Sequence, residues 1–344
     1  MRKEQIDQLL REAGYNAAVQ EPLPGDASFR RYIRIKDAAK PAMLMDAPPD
    51  KEDVRPYMQV ATHLSTLGYS APHIVASKPE AGLLLLEDLG DDTFTRILKQ
   101  GSESEETLYA AAVDLLVDWY LRQANVSDAR KLHLPRYDQA LLMREVQLFS
   151  NWYLPQLAGL EPSKVLATEY VRLWEQLLQQ APLQDRYFVH RDYHVDNLMW
   201  LPARQGHARV GLLDFQDAVY GDAAYDLVSL LEDARRDVPQ PLVDQMLARF
   251  IDATGMDADS LMLAYALLGA QRNCKIIGIF TRLAARDGKA HYLAHVPRVW
   301  KNLERDLAHP FLQPLKIWMD RHIAASARGV IPIQYDARAL ALTA

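Results

Sequence analysis

The sequence predicts an α+β fold in two lobes, a small β-rich lobe over residues 1–88 and a larger, mostly helical lobe over residues 89–344. Three features carry that expectation. Strand-like runs crowd the first part of the chain, and apolar spacings of three and four dominate beyond Ser104. A single β interruption near residues 198–215 then breaks the helical series.

Residues 1–13 read as a short helix with Ile6, Leu9 and Leu10 on one face. The stretch from Gln20 to Ser28, with its Pro, Gly and Asp residues, is a turn-rich connection. Phe29, Arg31, Ile33 and Ile35 then alternate with Arg30, Tyr32, Arg34 and Lys36, the period of a strand, and Pro41 to Asp46 offers a second. Tyr57, Val60, Ala61 and Leu64 mark a helix over 54–67, which Gly68 ends. Strands around 73–77 and 83–87 follow, and Asp88-Leu89-Gly90 supplies a hinge. In the second lobe Ser104 caps a helix running to Ala124, with Leu108, Ala112, Leu115 and Trp119 on one face. Further helices are expected at 138–150, 163–180, 222–235, 239–252, 258–285 and near 297–307. Leu198–Leu201 and Arg209–Phe215 read as a hairpin through Gly206.

Composition narrows the function classes. A formal charge of -6 argues against a general nucleic-acid binder, which needs a basic surface to release counterions. The single cysteine, Cys274, forms no internal disulfide, so the fold does not depend on an oxidising compartment. Leu261 to Ala270 is the longest apolar stretch, far short of the roughly 20 residues that span a bilayer, and no secretory h-region follows the first residues. The expectation is a cytoplasmic monomer with neither nucleic-acid nor membrane partners.

The chemistry concentrates in His190-Arg191-Asp192-Tyr193-His194-Val195-Asp196-Asn197 and, beyond the hairpin, Leu213-Asp214-Phe215-Gln216. Phosphoryl transfer asks for a carboxylate beside the attacking hydroxyl and for oxygen ligands that hold magnesium against the phosphates. Asp192 fits the first role; Asn197 and Asp214 fit the second. An isolated H-x-D-x-x-x-x-N match is common, and its Asp and Asn can serve merely as turn residues. A second aspartate 17 positions after Asn197, returned by a hairpin, makes the pattern far more specific.

Other residues carry two readings each. His190 is either a base or a brace for the loop. His194, Asp196 and Gln216 face the acceptor or solvent. Gln271, Arg272 and Lys275 share a helical face, which is either solvated or, through Arg272 and Lys275, able to bind an acidic acceptor. Phe149, Trp152 and Tyr153 are core or a sugar-stacking surface.

These motifs resemble the aminoglycoside phosphotransferase family, within the protein-kinase-like superfamily, along nearly the whole chain. Gly221-Asp222-Ala223-Ala224-Tyr225-Asp226-Leu227 is similar to the family's helix-opening signature. The resemblance implies the bilobal protein-kinase-like fold, ATP and Mg2+ as cofactors, Asp192 as base or hydroxyl-orienting residue, and Asn197 and Asp214 as metal ligands. It further implies that Asp222 and Asp226 brace the catalytic loop and that Glu87 to Leu89 meet adenine through backbone groups. Gly25 to Tyr32, Met45 to Pro49, Leu84 to Gly90 and Gln271 to Lys275 resemble a narrower branch, the AmgK-type N-acetylmuramate/N-acetylglucosamine anomeric kinases. That likeness implies phosphorylation of an amino sugar at the C1 hydroxyl, giving the α-1-phosphate, in cell-wall recycling.

One departure stands out. The superfamily's third strand carries a lysine for the α- and β-phosphates, whereas Pro41 to Asp46 contains none. Arg31, directly behind the loop of Gly25 and Ser28, is the expected replacement, with Arg34 as second choice. Another hydroxyl acceptor (aminoglycoside, choline or homoserine) or a nucleotide-binding pseudokinase are the competing readings.

Overall fold

The computed structural model describes residues 2–24, 29–37, 40–124, 132–156 and 164–329. It divides into two compact units. The first comprises Met1–Leu115, Val126–Leu134 and His194–Ala218; the second comprises Leu116–Asn125, Pro135–Tyr193 and Val219–Ala344. Packing therefore does not divide the chain at a single cut near residue 88. The segment 194–218 returns to the β-rich unit although it lies deep in the helical half of the sequence.

In the first unit, helix α1 (Arg2–Glu12) precedes strands β1 (Val19–Pro22), β2 (Arg31–Lys36) and β3 (Ala42–Asp46). Helix α2 (Arg55–Thr66), strands β4 (Ile74–Lys78) and β5 (Leu83–Glu87), and helix α3 (Phe94–Gln100) follow. The strands pair antiparallel in the order β1-β2-β3-β5-β4. Ile6, Leu9 and Leu10 of α1 pack with Ile35, Ala42, Leu44, Leu83 and Leu85. Met45, Leu84 and Leu86, alternating with these, are buried as well. A sheet covered on both faces accounts for the uninterrupted leucine run in β5.

Helix α4 (Glu105–Ala124) passes from the first unit into the second. The second unit then holds α5 (Gln139–Leu148), a π-helical turn at Phe149–Tyr153, α6 (Lys164–Gln180) and strand β6 (Tyr187–Val189). Strands β7 (Leu198–Trp200) and β8 (Val210–Leu212) form the expected hairpin, which belongs to the first unit. There, Leu212 N–H donates to Ser70 O at 2.8 Å and Trp200 N–H to Asp92 O at 2.7 Å, tying the hairpin to the sheet's own connections. Any side chain at Gly211 would meet Met199 Cβ at 2.9 Å and Leu89 Cδ1 at 3.1 Å.

Strand β9 (Val219–Gly221) pairs with β6 in the second unit and leads into α7 (Ala224–Leu231). Helices α8 (Gln240–Thr254), α9 (Ala258–Asp287), α10 (Val296–Asp306) and α11 (Gln313–His322) complete that unit. Helix α9 is its axis: α5, α7, α10 and the π turn all pack on it. The turn comes so close that a Cβ on Gly278 would lie 2.3 Å from the Leu148 carbonyl carbon. Phe149 and Tyr153 are fully buried core residues.

Three expected elements differ, the first being the turn-rich connection from Gln20, which begins as strand β1 through Pro22. Residues 222–235 do not make one helix; α7 ends at Leu231, and Glu232 and Asp233 turn inward as buried carboxyls, Glu232 accepting from Asn273 Nδ2 at 2.8 Å. The strand expected from Phe29 starts only at Arg31, and Phe29 is solvent-exposed.

Candidate active site

In the second unit the loop after β6 is held through several of its polar groups. Asp226, in the first turn of α7, accepts from the His190 N–H at 2.7 Å and the Arg191 N–H at 3.0 Å. Arg272, on α9, donates from Nη1 to the Arg191 carbonyl oxygen at 2.8 Å. The Arg191 guanidinium pairs with Glu145 of α5 at 2.6 Å and lies over the Tyr137 ring. These grips hold Arg191 at φ 74°, a left-handed conformation that residues other than glycine adopt uncommonly. Asp192 is the next residue, and its side chain is 43% exposed, with Arg272 Nη2 at 3.9 Å.

Glu145 is the centre of this arrangement. It receives Arg191, Lys275 Nζ at 2.8 Å, Gln271 Nε2 at 3.0 Å and the Tyr137 hydroxyl. Burial raises the pKa of its carboxyl, yet Lys275 and Arg191 outweigh that and hold it at about 2. Asp226 goes the other way. Burial pushes it up to about 7, Asp192 adds to the rise, and the two N–H donors and Arg272 oppose it. Asp222 does not reach the catalytic loop. It accepts from the Gln184 and Ala224 N–H groups, both at 2.9 Å, and so fixes the approaches to β6 and α7.

Arg272 and Lys275 therefore lie on no solvated face. Arg272 is buried against Arg191, Tyr225 and Asp192, and Lys275 is committed to Glu145 with Tyr225 Oη 3.4 Å away. His190 is fully buried, with its ring edge toward Tyr193.

The first unit holds the second cluster of expected residues. The Leu213 N–H donates to the Asn197 carbonyl oxygen at 3.0 Å, so the hairpin returns Asp214 beside Asn197. Asp214 adopts φ 60° just past β8, which turns Phe215 onto Tyr57, the ring centroids 4.7 Å apart. The Asp214 carboxylate is 43% exposed and accepts from Gln216 Nε2 at 2.9 Å and Arg30 Nη1 at 3.3 Å. The Asn197 amide nitrogen stands 3.3 Å from His194 Nε2, and its amide oxygen is the atom of this side chain that a hard cation would prefer. Asp196 accepts from the Thr95 hydroxyl of α3, and His194 is buried.

Among the described residues no group of three or more His, Cys, Asp or Glu forms a metal cage. The donors that Asn197 and Asp214 offer, an amide oxygen and a carboxylate, are of the hard oxygen type that magnesium takes.

Along the sheet, Arg31 lies in β2 opposite Asp46, 69% exposed, with Nη2 3.8 Å from that carboxylate. The structure instead brings Arg30 to Asp214. Arg34 spans Asp88 and Asp91, each at 2.7 Å, in the stretch after β5. Glu87 turns its side chain to Arg204 and its N–H to His73 O, while Leu89 packs at Gly211. Gly25 and Ser28 lie outside the described residues.

Sequence reasoning missed Glu145, and Arg30, whose Nε also lies 2.6 Å from Glu52 Oε2. Glu145 did leave a signal, as the one acidic residue among Leu142, Met143 and Val146 on the buried face of α5.

No helix among the described residues is long and apolar enough to cross a membrane. The profile of the phosphotransferase enzyme family matches residues 19–265. An N-acetylmuramate/N-acetylglucosamine kinase of Caulobacter vibrioides is 35% identical over 346 residues, covering 92% of this chain and 95% of that protein. One of the same description from Pseudomonas aeruginosa is 38% identical over 294 residues, covering 83% of each. Among solved structures, choline kinase LicA from Streptococcus pneumoniae has the same fold, with a TM-score of 0.62 at 14% identity over 89% of this chain and 99% of that one. The chain thus belongs to the phosphotransferase enzyme family, as a kinase that phosphorylates a hydroxyl group.

Proposed function

We propose that this chain is an ATP-dependent anomeric kinase of amino sugars, converting N-acetylmuramate and N-acetylglucosamine to their α-1-phosphates in cytoplasmic cell-wall recycling. The observation that carries the chemistry is Asp192, an accessible carboxylate at the end of a loop whose preceding residue is fixed through its N–H, its carbonyl and its side chain. The relatives' shared description supports the choice of acceptor.

In this reading Asp192 orients the acceptor hydroxyl and takes its proton as the oxygen attacks the γ-phosphorus, and the bond to the β-phosphate oxygen breaks to release ADP. Preorganisation is the source of the rate, because a loop already held in place needs no reordering during reaction. Asn197 and Asp214 would hold Mg2+, which supplies neutralising charge at the phosphates when bound. The backbone at Glu87 to Leu89 would border the adenine. Because Lys275 is already paired with Glu145 in the described residues, any lactyl carboxylate of muramate would find its counterion elsewhere.

The test is to offer N-acetylmuramate, N-acetylglucosamine, choline, homoserine and an aminoglycoside with ATP and magnesium, then locate the phosphate by 31P NMR. Phosphate at C1 of the two amino sugars is the expected result. Preference for choline or an aminoglycoside, or transfer to another hydroxyl, would overturn the proposal.

A further inference from the structure

The side chains of Arg30 and Arg31 differ in every respect that matters for binding an anion. Sheet pairing begins at Arg31, which faces Asp46 and lies mostly in solvent. Arg30, one residue earlier, is 12% exposed, with Nε 2.6 Å from Glu52 Oε2 and Nη1 3.3 Å from Asp214 Oδ1. Glu52 stands just ahead of α2 and holds the guanidinium at its inner edge.

The two carboxylates are unequal partners. The Glu52 contact is short, and its side chain is the more buried of the two acids. Asp214 is farther away and open to solvent, and it is also the carboxylate expected to take a divalent cation. A cation at Asp214 would consume the charge that attracts Arg30. Nη1 would then turn to another anion, while Glu52 and the Tyr32 hydroxyl kept the side chain in place. A guanidinium can present two parallel N–H groups to phosphate oxygens, and β3 offers no lysine for that purpose.

We propose that Arg30, anchored by Glu52, is the phosphate-binding cation of this kinase and exchanges Asp214 for the nucleotide phosphates when the site fills. The inference rests on the kinase reading above but concerns binding and can be measured without turnover. Asp214 then has a second role, as the partner Arg30 gives up for the phosphates.

The exchange predicts a sign that simple charge loss does not. In EDTA, ADP binding measured by calorimetry should weaken about 10-fold or more in Arg30→Ala, the loss expected of one charge-assisted pair. Asp214→Asn should tighten metal-free ADP binding several-fold, because it releases Arg30. That gain should disappear in the Arg30→Ala background, the coupling a double-mutant cycle isolates. Arg30→Lys keeps the charge without the fork and should retain part of both effects, which leaves the cycle readable if the alanine variant folds poorly.

Equal tightening by Asp214→Asn in both backgrounds would reduce Asp214 to a repulsive charge and overturn the exchange. Unchanged metal-free ADP affinity in Arg30→Ala would also overturn it. Failure of the unmodified chain to bind ADP even with magnesium is a different result, and it would remove the kinase reading together with this inference.

Discussion

Two arginine–carboxylate clusters, one in each unit, use the same chemistry for opposite ends. Around Glu145, two cations, an amide and a phenol converge on one buried carboxylate, and Arg191 is secured at both backbone and side chain. Around Arg30, one cation faces two carboxylates, of which one is held closely and the other stands at 3.3 Å in reach of water. A closed network of buried charges is costly to open and so fixes geometry. A half-open pair of charges at partial exposure costs little to rearrange. The first suits a residue that must not move, Asp192; the second suits groups that must change partners on binding.

The most severe break falls beyond the closed cluster, at the residue it supports. Asp192→Asn should lower kcat by about 10²–10⁴, the usual contribution of a positioned acid–base group, with ADP affinity within a few-fold of the parent. Wild-type turnover in that variant would separate the rigid loop from the chemistry altogether.

Glu145→Gln attacks the network directly. It leaves Arg191 and Lys275 buried without their shared counter-charge, and the expected loss is about 3–5 kcal/mol of unfolding free energy, read from urea denaturation. Glu52→Gln, at the half-open cluster, should cost less than about 1 kcal/mol. Similar losses at the two sites would mean that the two clusters are equally closed.

The motif of the proposed site was legible in the sequence because its spacing is local: Asn197 follows Asp192 within one short stretch, and a short hairpin separates Asn197 from Asp214. The networks around it were not, since each joins residues far apart in the chain. Alternation assigned Arg30 to a strand facing away from Arg31, but the sheet begins one residue later, so Arg30 is free of the pleat and reaches Glu52. Strands β6 and β9, three residues each, are too short to show a period. Helix α3 went unread although Thr93 caps it, accepting from the Arg96 N–H, and Gly101 closes it at φ 64°. The face shared by Arg272 and Lys275 was visible; that it lies inside the unit depends on α5 and α7 packing on α9.

The closed cluster should also show in acid. With a folded pKa of about 2 against an unfolded value near 4.3, Glu145 binds its proton more weakly in the folded state. Its contribution is therefore present above about pH 4.3 and is lost as pH falls toward 2, a span equivalent to about 3 kcal/mol. Asp226 has the opposite sign: raised to about 7, it favours the folded state below the unfolded carboxyl value and loses that effect as pH rises through 7. Stability measured from pH 5 down to pH 2 should fall more steeply in the parent than in Glu145→Gln. Parallel acid limbs would mean that Glu145 is not held ionised by its partners.

The smallest expected effect is the sharpest control on the open cluster. Arg31 is the residue that position alone recommends, directly behind the loop of Gly25 and Ser28 and capable of the same bidentate contact as its neighbour. Among the described residues its one ion pair is a 3.8 Å approach to Asp46, and that acid is already bound by Arg2 from α1. Removing Arg31 therefore leaves Asp46 with a partner, and the side chain surrenders little burial at 69% exposure. Arg31→Ala should change unfolding free energy by no more than about 0.5 kcal/mol, and ADP affinity by about two-fold at most. Arg30→Ala, one position away with identical chemistry, should show the large loss of metal-free ADP binding. If Arg31→Ala showed that loss and Arg30→Ala did not, the phosphate cation would lie on the strand, and the pair of Arg30 with Asp214 would be no more than a packing contact of the empty site.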